Sequence, residues 1–234
     1  VGWQFLEQHM IPWILLEVAQ APGNGEELRL YKRGTEFAMR VGKCELMNSR
    51  VHGSEDELAK LACGRITNRP EPRILVGGLG MGYTVAAALK GIGVDGRVAV
   101  AELVPAVVAW NRGPLAELAG YPLQDERVIV REVDVARIIQ TERNAYDAIL
   151  LDVDNGPEGL TQKDNDWLYG LHGLNMALAT LRPGGVLAVW SAAPDRAFTS
   201  RLRKVGFLVD EVRVRGRGTS GGSRHTIWIA CCAI

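Results

Sequence analysis

A doubly wound, mostly parallel α/β sheet is the fold this sequence predicts, and three observations carry that expectation. Beyond Pro72, short continuous runs of Val, Ile, Leu and Ala alternate with segments of helical periodicity. Runs without polar alternation suit strands covered on both faces, as in a parallel sheet with crossover helices. The first of these strands runs into a glycine-rich turn that opens a helix, a common join between a buried strand and its crossover. The chain has 234 residues, 47% of them hydrophobic, enough to bury a sizeable core without staples.

Before Pro70 the pattern is different, and residues 1–70 read as a small N-terminal β-hairpin and helix region. Glu27–Lys32 and Glu36–Val41 alternate around Arg33-Gly34, and Cys44–Asn48 suggests a third strand. Ser54 precedes three acids and a helical spacing of Leu58, Leu61, Ala62 and Ile66, which predicts a helix capped by Ser54. Asn68 to Pro72 is a stop and a linker.

Residues 71–234 form the predicted main domain. Its strands are expected at Ile74–Val76, Arg97–Ala101, Val128–Val130, Ala148–Leu151 and Val186–Trp190. Helices are expected at Tyr83–Lys90, Val104–Leu118, Val135–Gln140 and Asp164–Leu181. Phe207–Val214 and Arg224–Ala230, separated by a glycine-rich turn, predict an antiparallel hairpin at the C-terminal end of the sheet.

Composition removes several function classes. Twenty-seven basic and 27 acidic side chains balance, so bulk attraction to a polyanion such as nucleic acid is not expected. Four Cys without zinc-type spacing read as free thiols in a reducing cytoplasm, and no metal site is expected. The longest uncharged run, Ile74–Leu89, is glycine-rich and too short for a membrane span. Glu7 and Glu17 interrupt the apolar N-terminus and no basic leader precedes it, so no signal peptide is expected.

The chemistry concentrates at the predicted strand ends. Gly78-Leu79-Gly80-Met81-Gly82 follows the first strand. No Lys follows as in a phosphate-binding P-loop, and Tyr83 occupies the last small-residue position of a dinucleotide fingerprint. The second strand ends in Glu102, whose carboxylate has acceptor sites for both ribose hydroxyls of a nucleoside. Asp134 follows the third strand and suits an exocyclic adenine amine. Asp152-Val153-Asp154-Asn155 follows the fourth. In open α/β sheets these carboxyl ends are where ligands bind. Local charge agrees: Ile74–Leu89, Val98–Trp110 and Asn144–Gln162 hold no Lys or Arg, and the last contains Asp147, Asp152, Asp154 and Glu158. Such a mouth favours a small cation, either a sulfonium donor or an amine, over a phosphate.

Taken together, the glycine loop, Glu102, Asp134 and Tyr146-Asp147-Ala148-Ile149-Leu150-Leu151-Asp152 followed by Gly156-Pro157 resemble the spermidine synthase family. That family is a branch of the S-adenosylmethionine-dependent transferases with a Rossmann-like sheet. The resemblance implies that Gly78, Gly80, Gly82, Glu102 and Asp134 bind S-adenosylmethionine or its decarboxylated form. It implies that Asp152 is the catalytic carboxylate that deprotonates an attacking amine, with Asp154 assisting. It also implies pairing of two copies through the edge hairpin and N-terminal strands. Met81 replaces the family's loop Asp, Asn155 its second catalytic-loop Asp, Lys60 and Leu61 a Tyr-His pair, and Trp190 a Gln. These departures leave aminopropyl transfer, methyl transfer and a non-catalytic nucleoside-binding module all open. Asp154, Asn155, Trp190 and His52 are the candidate substrate contacts. His52 also reads as an ordinary loop histidine, and Trp190 as a core residue. The alternating Arg213, Arg215 and Arg217 read as a solvated strand face. His172 and His225 show no evident partner in the sequence.

Overall fold

A computed structural model describes residues 11–20, 27–153, 166–216 and 221–232. Its contacts divide the chain into two units, 1–50 and 51–234. The sequence suggested a division near residue 70. It falls earlier because the helix Gly53–Cys63 (α1) packs within the second unit rather than with the N-terminal strands.

The first unit is an antiparallel four-stranded sheet in chain order: Ile14–Gln20 (β1), Glu27–Arg33 (β2), Glu36–Val41 (β3) and Cys44–Asn48 (β4). The last three were expected. β1 was not, because a bulge between Leu15 and Glu17 breaks its alternation. Ile14, Leu15, Leu16 and Val18 are exposed on it. Gly34 takes a positive φ of 59°, as the tight β2–β3 turn requires. The Arg33 and Arg40 guanidiniums lie over the Trp13 ring.

The second unit is built on a seven-stranded sheet. Its strands are Arg73–Gly77 (β5), Arg97–Ala101 (β6), Val128–Arg131 (β7), Tyr146–Leu151 (β8), Leu181–Ser191 (β9), Phe207–Arg215 (β10) and Arg224–Cys232 (β11). Their spatial order is β10-β11-β9-β8-β5-β6-β7. β5 to β9 pair in parallel, and β11 pairs antiparallel with both β9 and β10. This is the predicted doubly wound sheet with its C-terminal hairpin. Strand order reverses between β5 and β8, so the crevice for a ligand opens at their carboxyl ends.

The apolar runs are buried on both faces, as a parallel sheet demands. Leu75, Ile149, Leu151, Leu187 and Val189 join one cluster with Ile138, Ile139, Leu174, Phe198 and Trp228. The alternating residues Ile74, Val76, Ala148, Leu150, Val186 and Ala188 point to the other face and are equally buried. There α1 packs against Tyr83–Gly91 (α2) and β9.

Several helices depart from expectation for local reasons. Pro105–Arg112 (α3) stops at Gly113-Pro114 instead of reaching Leu118. Val135–Thr141 (α4) is as predicted. The expected helix 164–181 is two, Asp166–Tyr169 (α5) and Leu171–Thr180 (α6), broken at Gly170, and β9 begins at Leu181. Arg196–Val205 (α7) was not anticipated, although Asp195 caps it through Phe198 N–H at 2.9 Å.

No described helix is long and apolar enough to cross a membrane. The four Cys are free thiols. Arg213 and Arg215 are exposed on β10, and Arg217 lies outside the described residues.

Candidate active site

The glycine loop turns between β5 and α2 with all three predicted glycines in left-handed backbone, φ 87° at Gly78, 51° at Gly80 and 84° at Gly82. At Gly78 a second constraint applies. A Cβ there would sit 2.3 Å from the Asp152 carbonyl oxygen, so only glycine lets the loop pass the end of β8. Asn111 of α3 holds the loop from beneath, its Nδ2 donating to Gly80 O at 2.8 Å and to Val107 O at 2.9 Å.

Glu102 is buried at the end of β6. Its Oε2 accepts Leu79 N–H and its Oε1 accepts Val104 N–H, both at 2.8 Å. Burial pushes this carboxyl up, and the amides around it pull it back toward the ionised form. The residue expected to bind ribose thus also ties the glycine loop to β6. Asp134 is exposed and is the N-cap of α4, its Oδ1 accepting Ala136 N–H at 2.8 Å. Met81 is wholly buried, so its side chain belongs to the core rather than to an open donor cleft.

Asp152 stands at the sheet's switch point, half-buried, where its Oδ2 accepts the Thr84 hydroxyl at 2.6 Å. Desolvation pushes its carboxyl up to about 6 despite that bond. A second acid, Glu55, is buried in the first turn of α1, and its carboxyl is pushed up to about 7 by burial and by the Asp152 charge. The sequence reading missed Glu55 by taking its neighbour Ser54 for a helix cap. His52 is the N-cap residue, and the Ser54 hydroxyl donates to Glu55 Oε2 at 2.6 Å.

Around these acids lie rings. His52 stacks on Tyr83 at 4.0 Å between centroids, and its Nδ1 is 2.9 Å from Asp56 Oδ2. His52 therefore stands beside the start of α2, next to the glycine loop. The half-buried Trp190, at the end of β9, meets His225 edge-on at 4.8 Å, and its buried indole Nε1 has no hydrogen-bond partner among the described residues. His225, without an evident partner in the sequence, bridges Ser54 and Ser223 through its two ring nitrogens. His172 packs edge-on against Trp167.

One expected member of the mouth is elsewhere. Asp147 lies near the opposite end of β8, almost fully buried, where its Oδ2 accepts from Arg182 Nη1 and Arg73 N–H, both at 2.9 Å. It pins strands together and faces no ligand. Asp154 and Asn155 lie outside the described residues. Among the described residues no group of three or more His, Cys, Asp or Glu could hold a metal.

No family model and no curated protein matches this sequence. Solved structures do match it in fold. Spermidine synthase from Thermotoga maritima superposes with a TM-score of 0.74 at 15% identity, over 94% of this chain and 73% of that one. A spermidine synthase in complex with the transition-state analogue AdoDATO gives a TM-score of 0.72 at 15% identity, with the same coverage. An O-methyltransferase from Bacillus cereus in complex with SAH gives 0.56 at 19% identity, over 77% of this chain and 81% of that one. With the sheet order and the loop–acid arrangement already described, the fold is that of the class I S-adenosylmethionine-dependent methyltransferases in its spermidine-synthase-like form.

Proposed function

We propose that this chain is a group transferase that takes an aminopropyl group from decarboxylated S-adenosylmethionine and delivers it to an amine. The observation that carries the reading is Asp152, a carboxyl at the switch point, next to the loop expected to hold the donor. Desolvation brings it close to neutrality, where a general base works best. An ammonium cannot attack. Asp152 takes the proton from the acceptor nitrogen, whose lone pair then bonds to the propyl carbon. The carbon–sulfur bond breaks, and its electron pair leaves a neutral thioether on methylthioadenosine. Glu102 and the glycine loop hold the nucleoside, and proximity supplies much of the rate. Thr84 keeps the Asp152 carboxylate oriented. The AdoDATO-bound spermidine synthase and the SAH-bound methyltransferase support a donor of this adenosyl-sulfur class.

Methyl transfer from S-adenosylmethionine is the second reading, and the likeness in fold to the SAH-bound O-methyltransferase favours it. Calorimetry with S-adenosylmethionine, its decarboxylated form and methylthioadenosine separates the readings. Preference for the decarboxylated donor is expected. Preference for the carboxylated donor overturns aminopropyl transfer, and no binding by any of the three removes the donor site.

A further inference from the structure

Residues distant in sequence make a continuous hydrogen-bonded line behind the acceptor side. Ser223, exposed at the start of the last strand, places its Oγ 2.7 Å from His225 Nε2. His225 Nδ1 lies 2.9 Å from Ser54 Oγ, and Ser54 Oγ lies 2.6 Å from Glu55 Oε2. Ser54 is fully buried and Glu55 nearly so, so this line joins an interior carboxyl to solvent. The backbone holds the line in place. Gly53 N–H donates to Gly216 O, and Gly216 N–H donates to Ser223 O, which ties Gly216 and Ser223 to the start of α1. A Cβ on Gly216 would meet Val51 Cγ1 at 2.7 Å and His225 Cε1 at 3.1 Å, so the glycine lets the backbone at 216 pass close to the imidazole.

We propose that Ser54, His225 and Ser223 form a proton relay between Glu55 and solvent, and that Glu55, coupled to Asp152 by charge, releases its proton along the relay when Asp152 takes one from the acceptor. The proposal rests on the transferase reading for the source of that proton. The atoms balance through reversal of the line. With Glu55 ionised, its carboxylate only accepts, so Ser54 donates to Glu55, His225 Nδ1–H donates to Ser54, and Ser223 donates to Nε2. With a proton on Glu55 Oε2 every bond reverses, ending with Nε2–H donating to Ser223 and Ser223 donating to water. Shifting each proton one bond outward then releases one proton to water and leaves Glu55 ionised. The imidazole changes tautomer and stays neutral, as its burial favours.

The groups facing Glu55 suit this work. Asp56 lies on its own helix, Tyr83 on α2, Asp152 at the end of β8 and His225 on β11. From β9 the Trp190 ring lies against His225. On β10 Asp210 pairs with Arg65, beyond the far end of α1. Charge at Asp152 opposes charge at Glu55, so a proton gained by one favours its loss from the other.

The test is nuclear magnetic resonance of the isotope-labelled full chain, without substrate, through a pH titration. The His225 ring should hold its proton on Nδ1 above the Glu55 midpoint and on Nε2 below it. Ser54→Ala should move the Glu55 midpoint up, since it removes a hydrogen bond donated to the carboxylate. Asp152→Asn should move it down, since it removes a like charge. A His225 tautomer indifferent to Glu55, or a Glu55 midpoint unmoved by Ser54→Ala, overturns the relay. Turnover is then measured with decarboxylated S-adenosylmethionine and 1,4-diaminobutane as the amine probe. Ser54→Ala should lower kcat at pH 7 by roughly tenfold or more. The methylthioadenosine Kd should stay unchanged, and the loss should shrink as pH rises and the amine arrives neutral. An unchanged kcat overturns the relay. A wild type that binds none of the donors, with its tautomer switch intact, overturns the transferase reading and leaves the relay standing.

Discussion

The two sides of the crevice hold their carboxyls in opposite ways. On the proposed donor side, Glu102 is fixed by backbone amides of Leu79 and Val104, groups that the local chain path supplies by itself. On the proposed acceptor side, Glu55 and Asp152 are held by the side chains of Ser54 and Thr84, and Ser54 in turn by His225, 171 positions away. Burial raises all three carboxyls, opposed at Glu102 by several backbone amides and at Glu55 and Asp152 chiefly by a side-chain hydroxyl. On the proposed reading, the difference separates a side that binds from a side that reacts.

The donor side breaks most visibly. Glu102→Ala removes two charge-assisted acceptors at once, and methylthioadenosine affinity in calorimetry should fall by about a hundredfold or more. Unchanged affinity would show that Glu102 only anchors the glycine loop.

The acceptor side should show itself in the pH dependence of stability. A carboxyl raised in the folded chain holds its proton more tightly there than in the unfolded chain. Stability is therefore intact below the ordinary Glu value of 4.5 and falls as pH rises toward about 7. Glu55→Gln should melt close to wild type at pH 4 and clearly above it at pH 8. Equal melting temperatures at both pH values would place Glu55 in ordinary solvation.

Asp134 gives the smallest expected effect. Asp134→Ala loses the α4 cap, about 1 kcal/mol or a few degrees in Tm. Donor affinity should fall less than tenfold, because this exposed side chain already spends one oxygen on Ala136 N–H. Unchanged affinity with the same melting shift would make the residue a cap alone.

This contrast also explains what the sequence disclosed. Strand runs, the glycine loop and acids at strand ends are local patterns, and β5 to β9 with Gly78, Glu102, Asp134 and Asp152 were legible from them. The acceptor wall was not, because its bonds join Ser54 to His225 and Thr84 to Asp152, and no local periodicity encodes such pairings. Ser54 before a run of acids looks like a cap, and only the path of β11 shows its hydroxyl turned to Glu55 instead. Asp147 erred in the reverse sense. It shares a segment with Asp152, yet an extended strand carries five residues about 17 Å, so the two sit at opposite ends of β8.

The placement of β11 bears on how the molecule assembles. β10 is made before β11 but touches the sheet only through it, and β11 must enter between β9 and β10. As the chain leaves the ribosome, strands β5 to β9 can pair while β10 waits without a neighbour. His225 and its bond to Ser54 come with the strand that enters last. Slow insertion of β11 would leave the open edges of β9 and β10 as the chain's point of weakness for aggregation.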